Sequence, residues 1–192
     1  DTIQGRIGLS VRRQLWASAS CREFQEMVAK YFVQLARWGV KALQLDKTGS
    51  SDQMLDFNPL SGTKPDVAMP EGTVRAIEFL LDKCKEVDPE FCFATEASSD
   101  RFLPYIDVYY RGPNTDAVSP MRYVFPEWTS CLHIFSPFDF SAVNAAVRFG
   151  CVIVIAPLMY KAGPSHARYK KLMNYIAEVT RLREQLYAWQ LK

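Results

Sequence analysis

Twice in this chain a helical run of apolar residues reaches a glycine and passes at once into a short apolar strand. In "EFQEMVAKYFVQLARWGVKALQLD", Phe24, Met27, Val28, Tyr31, Phe32, Leu35 and Trp38 recur at helical spacing, Gly39 follows, and "VKALQLD" begins directly. In "FSAVNAAVRFGCVIVIA" the same succession turns at Gly150. A helix that ends in glycine and feeds a strand with almost no loop is the helix-to-strand junction of α/β folds, since glycine takes the left-handed cap at little steric cost. The strand candidates "RIGLSV" (6–11), "VKALQLD", "FCFAT" (91–95), "IDVYY" (106–110), "MRYVF" (121–125) and "CVIVIA" are short and mostly apolar on both faces. Strands of that kind, alternating with helices, predict a parallel sheet covered by helices. Further helices are expected over 71–87 and through "SHARYKKLMNYIAEVTRLREQLYAWQLK", where Tyr169, Leu172, Met173, Ile176, Val179, Leu182, Leu186 and Trp189 keep register. Ser20, with Glu23 three residues on, has capping-box spacing before the first helix.

Composition narrows the function classes. With 192 residues, 48% of them hydrophobic, the chain has enough apolar surface for one buried core, and length alone points to one domain spanning 1–192. A formal charge of +2, with basic and acidic residues interleaved, argues against nucleic acid as a partner. No apolar run approaches the roughly 18–20 residues of a membrane span, and the opening "DTIQGRIGLSVRR" lacks the order of a secretory leader. Cys21, Cys84, Cys92, Cys131 and Cys151 are odd in number and form no CxxC; they read as free thiols, which favours a reducing compartment. His133 and His166 are the only histidines, and no residue set has metal-ligand spacing. No cofactor is required. A phosphate-binding glycine loop and a Gly-x-Ser-x-Gly elbow are both absent, so a triad of Ser98 or Ser99 with His133 and Asp139 has little support.

Acids close the strands. Asp46 ends "VKALQLD", Glu96 follows "FCFAT", and Glu127 follows "MRYVF"; Asp107 lies inside "YIDVYY". Each has an ordinary alternative: a turn residue at Asp46, a helix opener at Glu96 or Glu127, an ion pair with Arg111 or Arg122 at Asp107. Parallel α/β folds do their chemistry at the carboxyl ends of strands, where loops converge. Two acids on consecutive strand ends would share one cleft there. Paired carboxylates are what glycoside hydrolysis needs, one ionised and one donating a proton to the departing oxygen, and neighbouring strands favour the shorter separation of retaining enzymes, roughly 5–5.5 Å. Phe57, Phe102, Tyr109, Tyr110, Trp128 and Phe135 are candidate platforms for sugar rings.

The segments "CREFQEMVAKYFVQLARWGVKALQLDKTG", "FCFATEAS", "YIDVYYRG", "MRYVFPEW" and "VNAAVRFG", in that order, resemble the bacterial glycoside-hydrolase-like (β/α)8 barrel proteins, a domain-of-unknown-function group related to retaining glycosidases. The resemblance runs from about residue 6 to the end. It implies a TIM-type barrel of which this chain is the C-terminal part, with about six strands present. The first strands would come from an upstream half, of the same or another chain. It further implies a carbohydrate substrate, Asp46 as nucleophile, Glu96 as general acid/base and Glu127 as a further sugar contact. Lys47, Asp107, Tyr109, Arg111 and Trp128 complete the expected substrate-binding set. An open doubly wound sheet is the alternative architecture. The alternative functions are a non-catalytic carbohydrate-binding or scaffolding barrel and an aldolase-type barrel with Lys41 or Lys47 as Schiff-base lysine.

Overall fold

Five short parallel strands, each separated from the next by helix or loop, carry the chain. In the computed structural model, residues 2–4, 12–14, 17–46, 54–96, 99–110, 124–126, 128–156 and 163–190 are described. The elements are β1 (Thr2–Gln4), β2 (Arg12–Gln14), α1 (Arg22–Arg37), β3 (Ala42–Leu45), α2 (Ala68–Lys85), β4 (Cys92–Thr95), β5 (Val108–Tyr109), β6 (Thr129–Ile134), α3 (Phe140–Arg148), β7 (Val152–Ile155) and α4 (Lys170–Gln190). Strands β3 to β7 form one sheet in the order β3-β4-β5-β6-β7, while β1 and β2 form a separate antiparallel pair. The fold is thus α/β with an all-parallel five-stranded sheet. The chain divides into two compact units, Asp1–Phe93 and Ala94–Lys192.

In the first unit α1 and α2 pack closely. Ser20, expected to cap α1, instead donates its hydroxyl to the carbonyl of Ala68 at 2.5 Å, and Cys21 is the N-cap without a side-chain bond. Gly39 ends α1 at φ 89°, a backbone geometry that side-chain-bearing residues rarely adopt. Helix α2 starts at Ala68, ahead of the expected 71, because Pro70 falls in the first helical turn, where a missing N–H breaks no bond. Phe93 and Phe91 meet edge to face at 5.5 Å, and Phe32 from α1 sits 5.9 Å from Phe93.

The second unit has its core on one face of the sheet. Leu132 and Ile134 of β6 pair in register with Ile153 and Ile155 of β7. They pack with Ala142, Val143 and Ala146 of α3 and with Leu172, Met173 and Ile176 of α4. Asp139 caps α3 by accepting from the Ala142 N–H, and Gly150 ends the helical segment at φ 65° before β7.

Three expectations are corrected here. Arg12–Gln14, read as loop, pairs with Thr2–Gln4, whereas the strand expected at 6–11 lies outside the described residues. The expected strand "IDVYY" is reduced to Val108–Tyr109, with Asp107 just ahead of it. The strand expected over 121–125 is not there in its described part, for Val124 is helical and Phe125 is coil. Its place in the sheet is taken by Thr129–Ile134, "TSCLHI". The physical reason is that β6 buries one face fully and the other in part, so it tolerates Thr, Ser and His among its apolar residues.

Candidate functional site

Register decides which side chains meet at the carboxyl ends of the strands. Ala94 pairs with Val108 and Thr95 with Tyr109. The Tyr110 N–H donates to the Thr95 carbonyl at 3.0 Å, which carries the ladder one residue further and sets Tyr110 beside Glu96. Partners across a parallel ladder share a face. The Tyr110 phenol donates to Oε1 of Glu96. From β5 to β6 the register is Val108 to Thr129 and Tyr109 to Ser130, so Cys131 and His133 lie on the face that Tyr110 shares. The Tyr110 ring meets His133 edge-on at 5.4 Å, and His133 stacks on Phe135 at 5.7 Å. Glu96, Tyr110, His133 and Phe135 therefore form a continuous row across three strand ends, on the face opposite the α3–α4 core.

The row grades from half-buried to open: Glu96, Tyr110 and His133 are half-buried, and Phe135 is 43% exposed, while Thr95 on the opposite face is fully buried. Beyond Phe135, Phe138 is 74% exposed. Among the described residues no group of His, Cys, Asp and Glu could hold a metal ion, and no helix is long and apolar enough to cross a membrane.

The expected site residues distribute as follows. Asp46 is exposed in the turn that closes β3, in the first unit. Glu96 closes β4 at the head of the row. Tyr109 points to the opposite face from Tyr110 and stacks on Trp128 at 5.9 Å. Trp128 is 7% exposed and donates its indole N–H to the Ile106 carbonyl at 2.7 Å, a packing arrangement with little area left for a ligand. Asp107 is exposed at the amino end of β5, the end away from Glu96. Lys47, Arg111 and Glu127 lie outside the described residues; the strand next to Glu127 follows it, from Thr129, rather than preceding it. Among the other aromatic candidates, Phe102 is buried and Phe57 is 75% exposed. Lys41 pairs with Asp88 at 2.6 Å, and that hydrogen bond with the attendant charge raises its pKa. A Schiff-base lysine needs the opposite shift, and Lys41 stands at the amino end of β3.

His133, which the sequence offers as a triad member or a metal ligand, has ring contacts with Tyr110 and Phe135 instead. The available signal was the alternation Cys131, His133, Phe135 in "CLHIF", which marks one half-open strand face. No protein-family model, curated protein or solved structure matches the chain.

Proposed function

We propose that the chain is a glycoside hydrolase of (β/α)-barrel type acting on O-glycosidic bonds by a retaining two-carboxylate mechanism. Asp46 is the nucleophile and Glu96 the general acid/base. The observation that carries the proposal is Glu96 itself: a half-buried carboxylate at a parallel strand's carboxyl end, held by a phenol and followed by a row of rings that opens to solvent. A carboxyl group fixed in place beside flat rings suits a sugar, whose apolar ring faces stack on aromatics while the glycosidic oxygen meets the acid. The unreversed strand order supports barrel-type winding, because a doubly wound sheet reverses its order at a switch point.

In the first step the Glu96 carboxyl gives its proton to the leaving oxygen as the C–O bond breaks and an Asp46 oxygen bonds to the anomeric carbon. In the second, the Glu96 carboxylate takes a proton from water as the water oxygen replaces Asp46 on that carbon. The test is a panel of aryl and oligosaccharide glycosides assayed with wild type, D46N and E96Q. Each variant is expected to lose turnover by about 10²–10⁴-fold. Full turnover in either variant would remove that residue from the mechanism.

The exposure of Phe135 and Phe138 favours one second reading, a non-catalytic carbohydrate-binding barrel. In that case no glycoside is turned over, and E96Q binds immobilised polysaccharide as wild type does.

A further inference from the structure

We infer that Tyr110 is a positioning residue that clamps one oxygen of Glu96 and favours its ionised form, so that Tyr110 sets the pH range over which Glu96 can act as an acid. The inference rests on the hydrolase proposal for its catalytic consequence and on geometry for the coupling itself.

Two contacts hold Tyr110, and a third backs the second of them. The Tyr110 backbone N–H is bonded to the Thr95 carbonyl at 3.0 Å, its ring edge lies against His133 at 5.4 Å, and His133 is backed by Phe135 at 5.7 Å. A ring held on its backbone and on one edge delivers its hydroxyl to one place, and that place is Oε1 of Glu96. An unperturbed phenol keeps its proton to about pH 10. It therefore donates to the carboxylate throughout the range in which Glu96 titrates. A donor bonds an anionic oxygen more strongly than a neutral one, so the bond favours loss of the Glu96 proton. On β6, the face that Tyr110 shares carries the titratable groups of His133 and Cys131.

The consequence differs between the two steps. Protonated Glu96 is needed to expel the leaving group, and ionised Glu96 is needed to activate water. A clamp that favours the anion helps the second step and confines the first to more acidic solution. The basic limb of kcat/KM, which reports loss of the Glu96 proton, is therefore set by Tyr110.

Y110F is the test, with H133Q and E96Q alongside. The Glu96 side-chain carboxyl carbon signal, assigned by its loss in E96Q, is followed by NMR against pH. Its midpoint is expected to rise by about one unit in Y110F relative to wild type. With dinitrophenyl glycosides, whose departure needs no proton, kcat is expected to fall while the first step is preserved. With substrates of poor leaving group, the basic limb is expected to move up by the same amount as the NMR midpoint. An unmoved Glu96 midpoint in folded Y110F overturns the inference, as does an equal movement in H133Q that Y110F lacks. A shift of the acidic limb instead makes Glu96 the nucleophile and overturns its acid role. A moved midpoint with no glycoside hydrolysed by wild type overturns the hydrolase proposal and leaves the Tyr110–Glu96 coupling standing.

Discussion

Replacing Gly72 by alanine sets two effects against each other, and the structure decides between them. Gly72 lies inside α2, where alanine is favoured over glycine by about 1 kcal/mol because it has less backbone freedom to lose. A Cβ built on Gly72, however, would stand 2.3 Å from the Ser20 hydroxyl, 2.6 Å from the Ser20 backbone nitrogen and 3.0 Å from the Ala19 carbonyl carbon. Two of those three atoms are main chain and cannot rotate away. Relief requires moving the 19–20 backbone off α2, which breaks the 2.5 Å bond from Ser20 to the Ala68 carbonyl. Overpacking of this kind costs roughly 1–3 kcal/mol and the lost hydrogen bond about 1 kcal/mol more. After the propensity gain, G72A is expected to be less stable by about 1–3 kcal/mol. For a chain of this length that lowers Tm by roughly 3–10 °C. Urea titration and calorimetry measure it. Adding S20A removes the hydroxyl but leaves the nitrogen in place, so the double variant is expected to stay below wild type. A G72A protein as stable as wild type, or more so, would refute the close approach of the Ser20 backbone to α2.

Other outcomes follow from single contacts. W128F keeps a ring over Tyr109 but strands the Ile106 carbonyl, and is expected to cost about 1–3 kcal/mol in denaturant unfolding with no direct effect on sugar binding. Burial pushes the Cys84 thiol up to about 11 and also raises Cys131, which has Cys151 nearby. Thiol titration at pH 8 is therefore expected to modify half-buried Cys21 and Cys92 first, with Cys84, Cys131 and Cys151 reacting only on unfolding. The Lys41 hydrogen bond lowers the Asp88 pKa, while the Asp88 hydrogen bond raises that of Lys41. The stability from the lowered acid is present above the unfolded value near pH 4 and is lost as pH falls through the folded one. That from the raised base is present below about pH 10.4 and is lost as pH rises through its folded pKa. D88N is accordingly expected to destabilise between these limits and to match wild type outside them in a Tm–pH series. Loss at every pH alike would assign Asp88 to the turn before β4 rather than to the ion pair.

Much of the sheet was legible because its signals are local. Glycine after a helical run marks a left-handed cap wherever the chain goes next, and Gly39 and Gly150 do so here. The run "VIVI" has no polar residue to contest its assignment, and it is β7. Strand β6 was hidden for the converse reason. "TSCLHI" carries polar residues on a face that tertiary structure leaves half open, while the more apolar "MRYVF" starts eight residues upstream. Trp128 illustrates the same limit, since an aromatic beside an expected strand end reads equally as platform or core, and only its bond to the Ile106 carbonyl decides.

By itself the sequence determined that short apolar strands alternate with helices, and that acids close β3 and β4 at Asp46 and Glu96. Those facts are written in nearest-neighbour chemistry: period, glycine caps and the position of a charge after an apolar run. Only the tertiary structure decided that Glu96 meets Tyr110 and that His133 and Phe135 continue the row. Those contacts depend on the register between strands, and a slip of one residue would turn every one of these side chains to the opposite face.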